Sequence, residues 1–286
     1  MDIKCQQCGE PFPASQTHCP HCGRPSLFPN VTAASQADET SELNRRYRQA
    51  CATAAADGCA AIRHEFEAEI RCKLQVVIST SFNELNGLAQ ADTNVFSTFY
   101  QRVQSGLRIP KGGKWNVLRG VAEHAIFSGY KDHIRFGALS LDGVGVKNYG
   151  ECSMEMKEPM VTHRTTLCED NNAVFTVYER QATMADAENL ERGYRAVWQD
   201  RQTLCVAKLA PGLHPGMTAG NFSTLVLEQG MSTREDRCLG LHVWGSLTIR
   251  SVERVRIRRQ RTRPLKAAIR DIERLLLQYN VKVEAD

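Results

Sequence analysis

The residues best equipped for chemistry come first in the chain. Cys5, Cys8, Cys19 and Cys22 stand in CQQCGEPFPASQTHCPHCG as two Cys-x2-Cys pairs joined by a ten-residue loop. Each pair is followed at once by glycine, Gly9 and Gly23, which lets the chain turn tightly enough for backbone amides to face the thiolates. Four thiolates at this spacing close a tetrahedral site. In a chain read as cytoplasmic the expected occupant is zinc, with a rubredoxin-like iron site as the alternative. Four protein ligands leave no open coordination position, so the expected role is structural: the metal supplies the folding energy of a segment with almost no core. The other cysteines, Cys51, Cys59, Cys72, Cys152, Cys168, Cys205 and Cys238, share no ligand spacing, and most read as small buried apolar residues rather than nucleophiles.

A second chemical feature is the run RSVERVRIRRQRTRP, residues 250–264, where seven arginines face one acid, Glu253. Strand alternation puts Arg254, Arg256 and Arg258 on one face, a candidate phosphate stripe for nucleic acid. The competing reading is a solvated strand edge that blocks aggregation, and the run lacks the interleaved aromatics that single-strand binders add. His124, His133 and His163 have no metal-ligand spacing with one another. No Gly-x-Gly-x-x-Gly fingerprint or Walker motif is present, which disfavours a Rossmann oxidoreductase or a P-loop ATPase.

The elements that must position these residues follow from the rest of the chain. With 286 residues, 42% hydrophobic and 24% charged, the sequence has an ordinary soluble composition, and its net charge of +4 does not by itself diagnose a nucleic-acid binder. No apolar run suits a membrane span or a signal peptide, so the expectation is a cytoplasmic protein. Composition divides the chain into a zinc ribbon (1–28), a linker and helical region (29–97) and a larger domain (98–286). The linker is expected to end in a helix cap near Thr40 or Ser41. Ile62, Phe66, Ile70 and Leu74, continuing through Ile78, Phe82 and Leu85, predict helix, with Gly58 splitting or bending it. Beyond Gly106 the predicted strands are 134–141, 151–157, 173–178, 204–209, 223–227, 239–243 and 252–257, with a last helix opened by Pro264. The expected class is α+β.

Residues 122–171, AEHAIFSGYKDHIRFGALSLDGVGVKNYGECSMEMKEPMVTHRTTLCEDN, together with LGLHVWG at 239–245, carry a resemblance. The stretch IFSGY, then RFGALSL, DG, NYGE and HRTTL, resembles a bacterial domain related to ADP-ribosyltransferase toxins, over roughly residues 98–257. The resemblance implies a mainly antiparallel split β-sandwich with a cleft that holds NAD as substrate. It also implies a late-strand glutamate that stabilises the cationic sugar formed as nicotinamide leaves, much as a carboxylate does in glycoside cleavage.

At that place this sequence has Gly240, with His242 two residues on along the same strand face. Either the site is degenerate or disarmed, or the register is shifted so that Glu228 or Glu235 supplies the charge, or the glycine marks a close backbone crossing. By the same resemblance Arg102 and Arg135 are candidates for the NAD pyrophosphate, and Tyr130 and Phe136 for stacking on nicotinamide. Two functions follow. One is a toxin or phage-defence transferase that modifies a nucleic acid or a protein, with an antitoxin or chaperone partner implied by analogy. The other is a non-catalytic zinc-ribbon module that binds nucleic acid or protein on a degenerate transferase fold.

Overall fold

The computed structural model describes residues 2–5, 8–13, 18–24, 28–106, 120, 122–124, 126–127, 129–170, 192–232, 235–258 and 263–285. The N-terminal segment pairs β1 (Asp2–Lys4) with β2 (Pro11–Pro13). Helices α1 (Pro29–Ala34), α2 (Ala37–Ala56) and α3 (Ala60–Lys73) follow, then β3 (Gln75–Thr80), α4 (Phe82–Ala89) and α5 (Phe99–Gln104). The middle of the chain holds β4 (Ile134–Ser140), β5 (Cys152–Met156), α6 (Glu158–Val161), β6 (Thr165–Cys168) and β7 (Arg195–Val197). Next come α7 (Arg201–Leu209), α8 (Ala219–Val226), β8 (Leu227–Glu228), β9 (Arg237–Cys238) and β10 (Gly240–Trp244). The last elements are β11 (Val252–Ile257), α9 (Arg263–Gln278) and β12 (Lys282–Ala285).

Eight strands form one sheet in the order β12-β11-β5-β3-β4-β10-β6-β7, antiparallel throughout except for the β11–β12 pair. The protein is therefore α+β with a large, mostly antiparallel sheet. Cross-strand register sorts the side chains onto two faces. One face carries Val76, Ile78, Leu139, Met154, Leu167, Leu241 and Val243, which join Phe66, Ile70, Leu204 and Phe222 from the helices in the main core. Each such buried side chain contributes roughly 1.5–3 kcal/mol.

The other face is divided along its length. Towards β11 it is polar, with Ser79, Ser153, Glu155, Arg254 and Arg256; towards β10 it is aromatic, with Phe136, His242 and Trp244. Between them lies a row of small residues in which Gly240 faces Ala138 on one side and Cys168 on the other. The Asp142–Gly150 turn lies over the polar end, where the Gly145 amide donates to Ser153 Oγ at 2.9 Å and Asn148 Nδ2 donates to buried Asp236.

Several expectations need correction. The linker is helical before residue 40: Pro29 opens α1, and α2 starts at Ala37 without a side-chain cap. The stripe from Ile62 to Leu85 is interrupted, because Gln75–Thr80 is the central strand β3. A four-residue spacing is also a multiple of the strand period of two, so Leu74, Ile78 and Phe82 satisfied both templates, and the β-branched run Val76-Val77-Ile78 decided for strand. Residues 204–209 form helix α7, and most of 223–227 belongs to helix α8. Short apolar runs do not separate strand from buried helix, and both of these bury one side against the core. Gly58, with φ +71, does part α2 from α3. The expected strand at 173–178 lies outside the described residues.

Candidate metal centre and the predicted cleft residues

The two cysteine pairs fold into two matching turns. The Gly9 amide donates to the Cys5 carbonyl and the Cys5 amide to the Glu10 carbonyl, each at 2.9 Å; Gly23, Cys19 and Arg24 repeat the pattern at the same distances. Gly9 and Gly23 adopt φ of +75 and +70, a region that favours glycine. All four Sγ atoms lie within 4.8 Å of one another, with Cys5–Cys22 and Cys8–Cys19 both at 3.6 Å. A tetrahedral zinc with Zn–S of about 2.3 Å separates its sulfurs by about 3.8 Å. The donor set and its spacing therefore fit a metal ion such as zinc, held by four thiolates in a closed site.

This centre is seated on the body. Cys5, Cys19 and Phe12 are buried in one cluster with Phe127, Tyr130, Ile134 and Tyr194, and Phe136 and Trp244 pack against it. Cys8 and Cys22 face outward. Just after the ribbon, the buried Asn30 amide donates to the carbonyls of Arg164 at 3.1 Å and His242 at 3.0 Å and to Thr166 Oγ1 at 3.3 Å. Those bonds tie α1 to β6 and β10 together. Further along, buried Glu39 accepts from Arg195 Nε and from the Gly193 amide, both at 2.7 Å, fixing the start of α2 to the β7 edge.

The structure splits the predicted cleft residues between the two sides of the sheet. Tyr130, Phe136 and His242 meet around Phe127 on the aromatic face: the His242 ring lies 4.7 Å from Phe127 and 5.4 Å from Phe136. Burial, with the Arg195 charge nearby, pushes the His242 imidazole down to about 3, so it is neutral. Arg135 neighbours Phe136 in β4 and so lies on the opposite face, where its guanidinium donates to the carbonyls of Phe96 and His133 and, at 3.4 Å, to Gln101 Oε1. Arg102 is ion-paired with Glu84. Gly240 is buried in a central strand, paired on both edges.

The arginine stripe is largely neutralised within the fold. Arg254 pairs with Glu284 and, at 3.4 Å, with Glu155; Arg256 pairs with Glu284 at 3.1 Å. Arg258 donates to the carbonyls of Lys147 and Gly150. Among the other cysteines, Cys59, Cys152, Cys168, Cys205 and Cys238 are buried, and burial pushes the thiols of Cys152 and Cys205 up to about 12. A groove of about 590 Å³ opens between the end of α3 and α6, lined by Arg71, Lys157, Glu155 and Glu158, and none of the predicted cofactor-binding residues lines it.

Sequence reasoning missed Glu39 and Arg195, whose pairing spans 156 residues, and it also missed Arg164 and the tilted contact of the His133 ring with Trp244. The alternation of His242 and Trp244 marks their shared strand face but gives no sign of His133. No helix among the described residues is long and apolar enough to cross a membrane. Comparison with known protein families, curated proteins and solved structures finds no match to this chain.

Proposed function

We propose that the chain is a non-catalytic binding module, in which a zinc ribbon braces one face of an α+β body. The observation that carries this reading is the place of Gly240. It sits in the row Ala138–Gly240–Cys168, in the interior of the sheet, where the transferase resemblance requires an accessible carboxylate. Its neighbour His242 is locked neutral among aromatic rings, and Arg102 is committed to Glu84. Zinc held by Cys5, Cys8, Cys19 and Cys22 supplies folding energy and no Lewis-acid step, because its four ligands come from the protein.

The test is transfer of label from NAD to total cellular RNA, DNA and protein, run beside a thermal-shift titration with NAD. The expected outcome is no labelling by the chain and no rise in its melting temperature, since a ligand that binds only the folded state must raise apparent stability by mass action. Labelling by the chain overturns the reading and restores the transferase; labelling only by a folded Gly240→Glu variant would mark residue 240 as the lost carboxylate of a disarmed transferase.

A further inference from the structure

We propose that Arg164, backed by the buried charge of Arg135, forms with the Trp244–His133 ring pair a phosphate-and-base site for single-stranded nucleic acid. The proposal deepens the binding-module reading and rests on it.

Charge matching marks this corner, though Arg258 at the β11 side likewise bonds carbonyls. Several arginines that pack against the sheet meet carboxylates: Arg195 meets Glu39, Arg46 meets Glu169, and Arg254 and Arg256 meet Glu284. Arg135 and Arg164 meet none among the described residues. Arg135 is 3% exposed, and its hydrogen bonds go to two carbonyls and an amide oxygen. Arg164 donates from Nε to the Met160 carbonyl at 3.0 Å and from Nη1 to the carbonyls of Trp244 and Ser246. Its Nη2 has no acceptor among the described residues. Burial, with the Arg164 charge as a lesser cause, pushes Arg135 down to about 10, and burial lowers Arg164 as well. Two neighbouring guanidiniums without a counter-charge are costly to bury, and an anion between or beside them relieves that cost. Guanidinium N–H groups left over in a fixed plane suit phosphate oxygens.

The rings identify what carries the phosphate. Arg135 and Arg164 bond the backbone carbonyls of His133 and Trp244, the same two residues whose rings stand 5.1 Å apart at 31°. His133 is exposed and Trp244 half-buried, with the Trp244 ring packed against Tyr130 and the cluster beneath the cysteines, so His133 is the more open ring of the pair. Close by in sequence, Lys131 Nζ stands 4.5 Å over the Tyr100 ring, adding a cation and a further aromatic. Aromatic platforms beside positive charge take unpaired bases with their phosphates, whereas duplex bases are already stacked on one another. The aromatics that the 250–264 run lacks are thus supplied here.

The test measures fluorescence polarisation of a labelled single strand of about 12 nucleotides with the full, zinc-loaded chain at low salt. The expected result is binding that Arg164→Gln and His133→Ala each weaken by about tenfold. Arg250→Gln, which removes an equal charge from an exposed arginine paired with Asp92, should change it less than about twofold. Melting temperatures establish that the variants fold, and Arg164→Lys, which keeps the charge without the planar fork, should restore only part of the affinity. No strand binding by the parent chain, equal losses for Arg164→Gln and Arg250→Gln, or equal binding of the duplex each overturn the proposal. So does displacement of the strand by a mononucleotide or inorganic phosphate at equal phosphate concentration, which would mark a small-anion pocket instead. Failure of the site without label transfer from NAD leaves the binding-module reading standing; label transfer sinks that reading whatever the strand does.

Discussion

His242 shows how strongly surroundings decide what a residue can do. The same imidazole that sequence placed at the wall of a cleft is enclosed by Phe127 and Phe136 and held neutral. Its folded value of about 3 lies below the unfolded value of about 6.5, so the unfolded chain binds the extra proton between those limits. The stability due to the buried neutral ring is therefore complete above about pH 6.5 and is lost as pH falls towards 3. Between pH 6.5 and pH 5 the loss is about 2 kcal/mol. Urea midpoints at the two pH values should fall more steeply for the parent chain than for His242→Leu. Acid also weakens the thiolate site, but it does so in both proteins, so the difference between them isolates His242. Equal slopes would mean that the ring is solvated or partnered.

At the scale of elements, what holds α1 and α2 against the sheet is polar and long-range. Glu39 is fully enclosed and anchors Arg195 and the Gly193 amide, so Glu39→Ala leaves a buried guanidinium without its counter-charge. Removing one partner of such a pair costs about 3–5 kcal/mol, which chemical denaturation would read directly. A loss below about 1 kcal/mol would show that water reaches Arg195. Pairings of this kind are invisible in sequence: nothing near Glu39 marks Arg195, 156 residues later, as its partner. The elements themselves were legible where spacing was unambiguous, as in Phe66 and Ile70 of α3, in β10 and β11, and in the helix after Pro264. They were illegible where short apolar runs suited two periods, as in β3, α7 and α8. The four-cysteine cluster was legible outright, because four thiolates at paired spacing specify their own geometry. The seat beneath them was not, since it assembles from Phe12, Phe127, Ile134 and Tyr194 with no common motif.

For the whole molecule, the main core joins helices from Leu43 onward with strands as late as Ile257 and with Val281, so the body is expected to unfold as one unit. The ribbon is coupled to that body through Cys5, Cys19 and Phe12. Stripping the metal with a chelator should lower the melting temperature and shift tryptophan emission to the red as the cover over Trp244 loosens, while far-UV circular dichroism keeps most of its amplitude. An unchanged melting temperature would mean that the ribbon contributes nothing to the body. The seating also sets an order in time. Cys22 leaves the ribosome long before Trp244, and at 5–20 residues per second the interval is roughly 10–45 s. Early in that interval the nascent ribbon has no seat, because Phe127, Tyr130, Ile134 and Tyr194, the residues Phe12 packs with, are made later. On the zinc-ribbon reading, the chain would depend on early metal capture during synthesis, and zinc scarcity at that moment would leave an otherwise finished body with an uncovered aromatic face.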